Sequence, residues 1–208
     1  MRSIAIIMMI AFALIGCNEK RAAPAETKPA DSASTKTVVI NNDSIILSLT
    51  KQVLSALKTK EYRLFAEFIH PVEGTRFSPY GYIDTAADVK FTTKEFLSNV
   101  DQQPKINWGS YDGSGDTLLL TIAEYFKKFV YNADFLHAEK TSINKMISAG
   151  NSLNNLETIY KDSNYTESYF SGFDKKYGGM DWTCLRLVYR TYNGKFFLVA
   201  VVHDQWTI

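Results

Sequence analysis

The chain has 208 residues, 46% hydrophobic and 13% aromatic, with 23 Lys and Arg against 22 Asp and Glu. That is enough for one substantial core and short of two comfortable ones. Near-zero charge with scattered basic residues argues against nucleic acid as a partner, since phosphate binding needs clustered Lys and Arg.

Met1-Arg2-Ser3 is a short positive start, and residues 4–15 form an uncharged apolar run. Its length suits a secretory signal and falls short of the roughly 20 residues of a membrane-spanning helix. Leu14-Ile15-Gly16-Cys17 closes the run and resembles the bacterial lipoprotein signal. The resemblance implies cleavage before Cys17 and acylation of its thiol and new amine, with residues 1–16 as signal peptide. An ordinary signal peptide with an incidental Cys is the alternative. Two or three acyl chains would anchor the protein stably to a membrane of the cell envelope. Asn18, rather than Asp, favours the outer membrane where two membranes exist. Loss of Arg2 with the signal leaves a neutral mature chain. Residues 17–40, rich in Lys, Ala, Pro, Ser, Thr and Glu, are expected to be a flexible tether spanning on the order of 25 Å. With Cys17 acylated, Cys184 stands alone. No internal disulfide is expected, and Cys184 reads as a small buried hydrophobe.

Residues 41–208 are expected to form a single α+β domain. Asn42 or Asp43 can cap a helix over 44–60 with Ile46, Leu49, Val53 and Leu57 on one face. A second helix over 62–69 would bury Leu64, Phe65, Phe68 and Ile69, and Pro71 stops it at His70. Residues 75–83, broken by Pro79 and Gly81, predict an edge strand or a pocket-lining loop. Thr92 with Glu95, and Thr121 with Glu124, are capping boxes announcing helices over 93–100 and 122–131. The second would bury Ile122, Tyr125, Phe126 and Phe129. Residues 107–116 read as a turn-rich loop, and 118–120 as a brief strand. Asp112-Gly-Ser-Gly-Asp116 lacks the Gly and terminal Glu of a calcium loop, so no metal is expected. Residues 135–147 are ambiguous, 150–155 a turn and 165–173 a strand. No repeat, phosphate-binding loop, nucleophile elbow or paired-Cys motif is present, and no cofactor is expected.

The chain closes on the strongest hairpin signal it contains: residues 185–192, Asn193-Gly194, then 195–202. A type I′ turn needs φ > 0 at both central residues, which Asn-Gly supplies. A regular register pairs Tyr192 with Lys195, Tyr189 with Leu198 and Leu185 with Val202. One face would then carry Leu185, Leu187, Tyr189, Phe196, Leu198, Ala200 and Val202. The other would carry Arg186, Val188, Arg190, Tyr192, Phe197, Val199, Val201 and His203.

Helices first and a long terminal hairpin last is similar to the NTF2-like group, in which helices pack on a curved, mainly antiparallel sheet to form a cone with one cavity. A second likeness covers residues 45–208. His70-Pro71, Gly74 with Arg76-Phe-Ser-Pro-Tyr80, Asp112-Gly-Ser-Gly115, Phe129-Val-Tyr131, Gly150-Asn-Ser152, Lys176-Tyr-Gly-Gly-Met-Asp-Trp182 and His203-Asp-Gln-Trp206 resemble a family of bacterial secreted or lipoprotein domains. That family has no assigned activity, so it implies location and extent and carries over no catalytic residue.

The mixed hairpin face gives the candidate ligand site: Arg186, Arg190, Tyr192 and His203. Lining a cone cavity, it would offer two cations and an imidazole to a small acidic or polar ligand. Lying in solvent, it would be Arg stems over Val and Phe. The expected function is a non-catalytic envelope lipoprotein that binds a small ligand or an envelope protein. The alternative is a hydrolase or isomerase using His203, with Asp181, Asp84 or Glu73 as partner, or a Cys184–His203 pair.

Overall fold

The computed structural model describes residues 41–148 and 153–207, within a compact unit that begins at Val39. The expected signal peptide and tether, Cys17 and part of the expected 150–155 turn lie outside the described residues. Helix α1, Asn42–Thr59, starts two residues earlier than its pattern suggests, because the Asn41 side chain accepts from Asp43 N–H. Ile46, Val53 and Leu57 on its inner face are buried. The one-turn helix α2, Tyr62–Ala66, buries Phe65 but leaves Leu64 38% exposed, since so short a helix turns only one side inward. Strands β1 (Thr75–Ser78) and β2 (Val89–Phe91) follow, then α3, Thr93–Gln102. Both expected capping boxes form, at Thr92/Glu95 and Thr121/Glu124.

The expected loop over 107–116 is instead half of a ribbon. Strand β3 (Ile106–Ser110) pairs with β4 (Thr117–Leu120), and its register shifts between Asn107 and Ser110. Gly109 sits at that irregularity with φ +107°, so the glycine serves a strand distortion rather than a loop. Helix α4, Ile122–Tyr125, widens over Phe126–Val130 into a turn closed by Tyr131 N–H on Phe126 O at 2.7 Å. Ile122, Tyr125, Phe126 and Phe129 are all buried, as their spacing predicts. Strand β5 (Lys140–Ile143), helix α5 (Leu156–Ile159), β6 (Asn164–Phe170), β7 (Thr183–Tyr192) and β8 (Lys195–Gln205) complete the order.

Six strands form one mixed sheet, β2-β1-β8-β7-β6-β5. The neighbours are antiparallel except β1 and β8, which run parallel. Strand β1 is therefore interior and not an edge. Pro79 falls just past its last residue, where the missing N–H costs the ladder nothing. The α+β class and the terminal hairpin stand as expected. Asn193 and Gly194 take φ +48° and +74°, the pair of positive angles the turn requires.

The register does not stay regular. Tyr192 pairs with Lys195 and Tyr189 with Leu198 as expected, but Val188 then pairs with Ala200, leaving Val199 as an extra residue. Beyond this bulge every β8 side chain changes face. Leu185 faces His203 instead of Val202, Arg186 faces Val202, and Cys184 faces Asp204. The bulge lies where β8 changes partners. Leu198 exchanges backbone bonds with Phe68 and His70 at 2.7 and 2.9 Å, and β1 takes over from Ala200.

Both faces of the sheet are covered. On the helix side, Leu185, Leu187, Tyr189, Leu198 and Val201 pack with Phe65, Phe77, Phe96, Phe126 and Trp108 in the main core. On the other side, Val188, Val199, Ala200 and Val202 pack with Ile83, Leu156 and Tyr165.

Candidate functional site

The four hairpin residues proposed from sequence do not come together: the bulge turns His203 to the other face, and Arg186 and Arg190 on the shared face are taken up by separate partners. His203 turns to the helix side, fully buried. Its Nδ1 lies 2.9 Å from Pro79 O and its Nε2 3.1 Å from the Thr183 hydroxyl. A carbonyl only accepts, so Nδ1 carries the proton and Nε2 accepts from Thr183. Burial pushes the imidazole down to about 4, so it is neutral at pH 7 with both nitrogens engaged.

Arg186 lies on the opposite side, 1% exposed, within an ionic cluster. Its Nε donates to Glu167 at 2.8 Å, both terminal nitrogens donate to Asp204 at 3.1 Å, and one reaches Ser148 Oγ at 2.6 Å. Glu167 also accepts the N–H groups of Ile147 and Ser148 at 3.1 and 2.7 Å. This face is neither a wet strand nor a cavity wall; the guanidinium stitches the 144–148 segment onto the sheet. Cys184 sits beside the cluster, 3.7 Å from Ser148 Oγ, and is fully buried as expected. Burial pushes its thiol up to about 12, and the Cys184–His203 pair of the catalytic alternative does not form, because Cys184 faces Asp204 across the sheet.

Arg190 is half-buried, donating to Glu73 and to Ser163 Oγ. Tyr192 is 37% exposed, its ring 5.4 Å from that of His70. His70 is buried but lies four residues beyond α2 rather than at a helix end; its Nδ1 accepts from Glu73 N–H at 2.9 Å, and burial lowers its pKa. Asp181, an enzyme-partner candidate, accepts backbone N–H groups of its own loop, and Asp84 caps Ala86 and Ala87.

The space expected to be a cone cavity is filled by rings. Trp108 and Tyr125 stack at 3.7 Å between centroids, and Phe77 touches Phe65, Phe96, Phe126 and Trp108. What remains open is a cleft of about 280 Å³ at the mouth of that space, near the β8 carboxyl end. Four separate segments build it. Tyr80 follows β1, Tyr111 and Asp112 lie on the β3–β4 turn, Lys128 and Phe129 come from the widened turn after α4, and Gln205 ends β8.

The Tyr80 hydroxyl accepts Asp112 N–H at 2.9 Å, which fixes the turn and leaves the phenolic proton free to donate. Burial raises the Tyr80 pKa, so the phenol stays protonated. The ring of Phe129 lies edge-on to Tyr80 at 5.7 Å and to His203 at 5.7 Å, sealing the cleft from the core. The Lys128 ammonium sits 4.1 Å above the centre of the Tyr111 ring. The cleft thus offers one positioned cation, one carboxylate, a phenol and an amide around an aromatic floor.

A larger open groove, about 540 Å³, lies between α1 and the hairpin turn. Lys195 is its one charged lining residue, amid Ser44, Ser48, Gln52 and exposed apolar groups, so it offers little chemistry to orient a ligand. The sequence marks the smaller cleft only in pieces: Tyr80 falls in the stretch read as an edge strand or pocket-lining loop, and Asp112, Phe129 and Gln205 in separate segments of the family likeness, but nothing in their spacing joins them, and Lys128 belongs to no motif. Among the described residues no group of three or more His, Cys, Asp or Glu could hold a metal ion, and no helix is long and apolar enough to cross a membrane.

The fold and cleft define an α+β domain with a two-sided mixed sheet. No family model and no curated protein matches the chain. Among solved structures it is similar to a Xanthomonas campestris protein provisionally assigned as a calcium/calmodulin dependent protein kinase II association domain. The identity is 12% and the TM-score 0.30, over 77% of this chain and 84% of that chain. Overlap at that level adds nothing to what the strand order itself gives.

Proposed function

We propose that the chain is an envelope lipoprotein, acylated at Cys17, whose NTF2-like domain binds a small acidic or polar ligand without catalysing a reaction. The observation that carries the binding half is the sealed aromatic cleft, with Lys128 held over Tyr111 and Tyr80 ready to donate. A cation fixed on a ring beside a phenol and an amide suits a carboxylate or phosphate group presented at a half-open mouth. The catalytic alternative draws no support from His203, whose two nitrogens both point into the protein. The Lys128 site is preferred over the hairpin residues for the same reason: Arg186 already serves two carboxylates.

The test is a thermal-shift and NMR screen with dicarboxylates, amino acids and sugar phosphates on wild type, Lys128→Ala and Tyr111→Ala. Binding should weaken about tenfold or more in both variants, the cost of losing one charge-assisted contact. Unchanged binding in both would place the ligand elsewhere. Mass spectrometry of the mature protein against Cys17→Ala checks the anchor separately. The expected wild-type product begins at Cys17 and carries acyl mass, on an outer membrane where two membranes exist.

A further inference from the structure

Two charged side chains of opposite sign, Lys128 and Asp112, line the cleft at the β8 carboxyl end. They do not neutralise each other: among the described residues neither enters an ion pair. Uncharged groups hold each of them instead. The Lys128 ammonium rests 4.1 Å from the centre of the Tyr111 ring and 5.8 Å from that of Phe129. Asp112 is anchored through its backbone, its N–H donating to the Tyr80 hydroxyl at 2.9 Å. The turn around it closes through Tyr111 N–H on Asp116 O at 2.8 Å and Gly115 N–H on Tyr111 O at 2.9 Å. Groups placed before contact lose little conformational entropy when a ligand arrives.

The two signs together select the ligand. A plain anion drawn to Lys128 within about 280 Å³ also meets the Asp112 carboxylate, whose repulsion offsets part of the attraction. A plain cation drawn to Asp112 meets Lys128 in the same way. A ligand carrying both charges turns that repulsion into a second charge-assisted contact, each about twice as strong as a neutral hydrogen bond. Most of the remaining lining is aromatic: Tyr80, Tyr111, Phe129 and Trp206. Such rings pack against an apolar body, as in most small-molecule sites. The volume is at the lower end of the roughly 300–1,000 Å³ of drug-sized sites, so the body is short.

We propose that this cleft takes a small zwitterion with an apolar body, the chemistry of an apolar α-amino acid. Its carboxylate meets Lys128, its ammonium meets Asp112, and its side chain lies against the rings. The inference rests on the reading of this cleft as the ligand site and narrows it. Dicarboxylates and sugar phosphates, which bring no ammonium, should bind more weakly than a zwitterion of similar size.

The experiment titrates wild type, Asp112→Asn and Lys128→Ala by NMR at pH 7 with four probes: L-phenylalanine, L-leucine, 3-phenylpropionate, which lacks the ammonium, and phenethylamine, which lacks the carboxylate. One of the two amino acids should bind wild type, and phenylalanine should bind about tenfold or more tighter than either singly charged analogue. Asp112→Asn keeps the backbone N–H on Tyr80 and removes only the charge. It should weaken amino-acid binding about tenfold while leaving 3-phenylpropionate equal or tighter, a reversal that a merely structural role for Asp112 would not produce. Saturation by 3-phenylpropionate as tight as by phenylalanine, or amino-acid binding unchanged in Asp112→Asn, overturns the zwitterion and leaves the cleft as an anion site. Binding unchanged in Lys128→Ala overturns the cleft itself and both readings with it. Saturation by neither amino acid overturns the inference alone, since the wider ligand screen still judges the cleft.

Discussion

At the scale of single residues, two titratable groups pull stability in opposite directions. Burial depresses His203 to about 4, below its ordinary 6.5. Between those values the unfolded chain binds the extra proton, so His203 stability is complete above pH 6.5 and drains as pH falls toward 4. The full loss is about 3 kcal/mol at most. Asp88 runs the other way. Burial raises it from 3.8 to about 6, even with Ser78 donating to it and Asp84 N–H at 3.1 Å. Here the folded chain holds the proton more tightly, so stability is gained as pH falls through 6. Urea unfolding at pH 7 and pH 5 separates the two. Asp88→Asn should steepen the acid loss, and His203→Gln should remove it or reverse its sign. The slope is diagnostic even if either variant is less stable overall. Parallel slopes in all three proteins would contradict this assignment.

At the scale of elements, Val199 decides which residues share a face. Deleting it would restore the regular pairing that the Asn193-Gly194 turn and the alternating pattern predict. His203 would then join Arg186, and Ala200 and Val202 would move to the helix side. It would also strand the Phe68 and His70 bonds to Leu198 or the β1 pairing at Ala200, since one residue can no longer serve both. The expected cost exceeds the roughly 4–5 kcal/mol that marks an exceptional single change. Chemical denaturation and hydrogen exchange of β1 and β8 would read it; a chain that still unfolds cooperatively near the wild-type midpoint would show that the bulge is incidental. The sequence announces this hairpin strongly and its bulge not at all. Local turn chemistry fixes Tyr192 opposite Lys195, but the bulge answers to residues 68–78, more than a hundred positions away. The capping boxes were legible for the converse reason: Thr121 and Glu124 bond each other within one turn.

At the scale of the molecule, the misread hairpin face and the missed cleft have one origin. A strand carrying Arg186, Val188 and Arg190 looks half-solvated only if nothing covers it. Segments 144–148 and 153–160 do cover it, and Ser148, Leu156 and Tyr160 carry no periodic mark of that task. The polar residues most suggestive in sequence are thus the ones spent on holding layers together: Arg186 on Glu167 and Asp204, Arg190 on Glu73 and Ser163. A buried ion whose partners are already complete gains nothing from a ligand that cannot reach it without unfolding a layer. The proposed ligand is therefore placed at the rim, where β1, the β3–β4 turn, the widened turn after α4 and β8 end together. The widened turn matters most there, because a tighter helix would rotate Lys128 and Phe129 off the mouth they line. Such a cleft exists only once four distant segments converge, so composition and spacing carry the core of this domain and leave the proposed site to the tertiary structure.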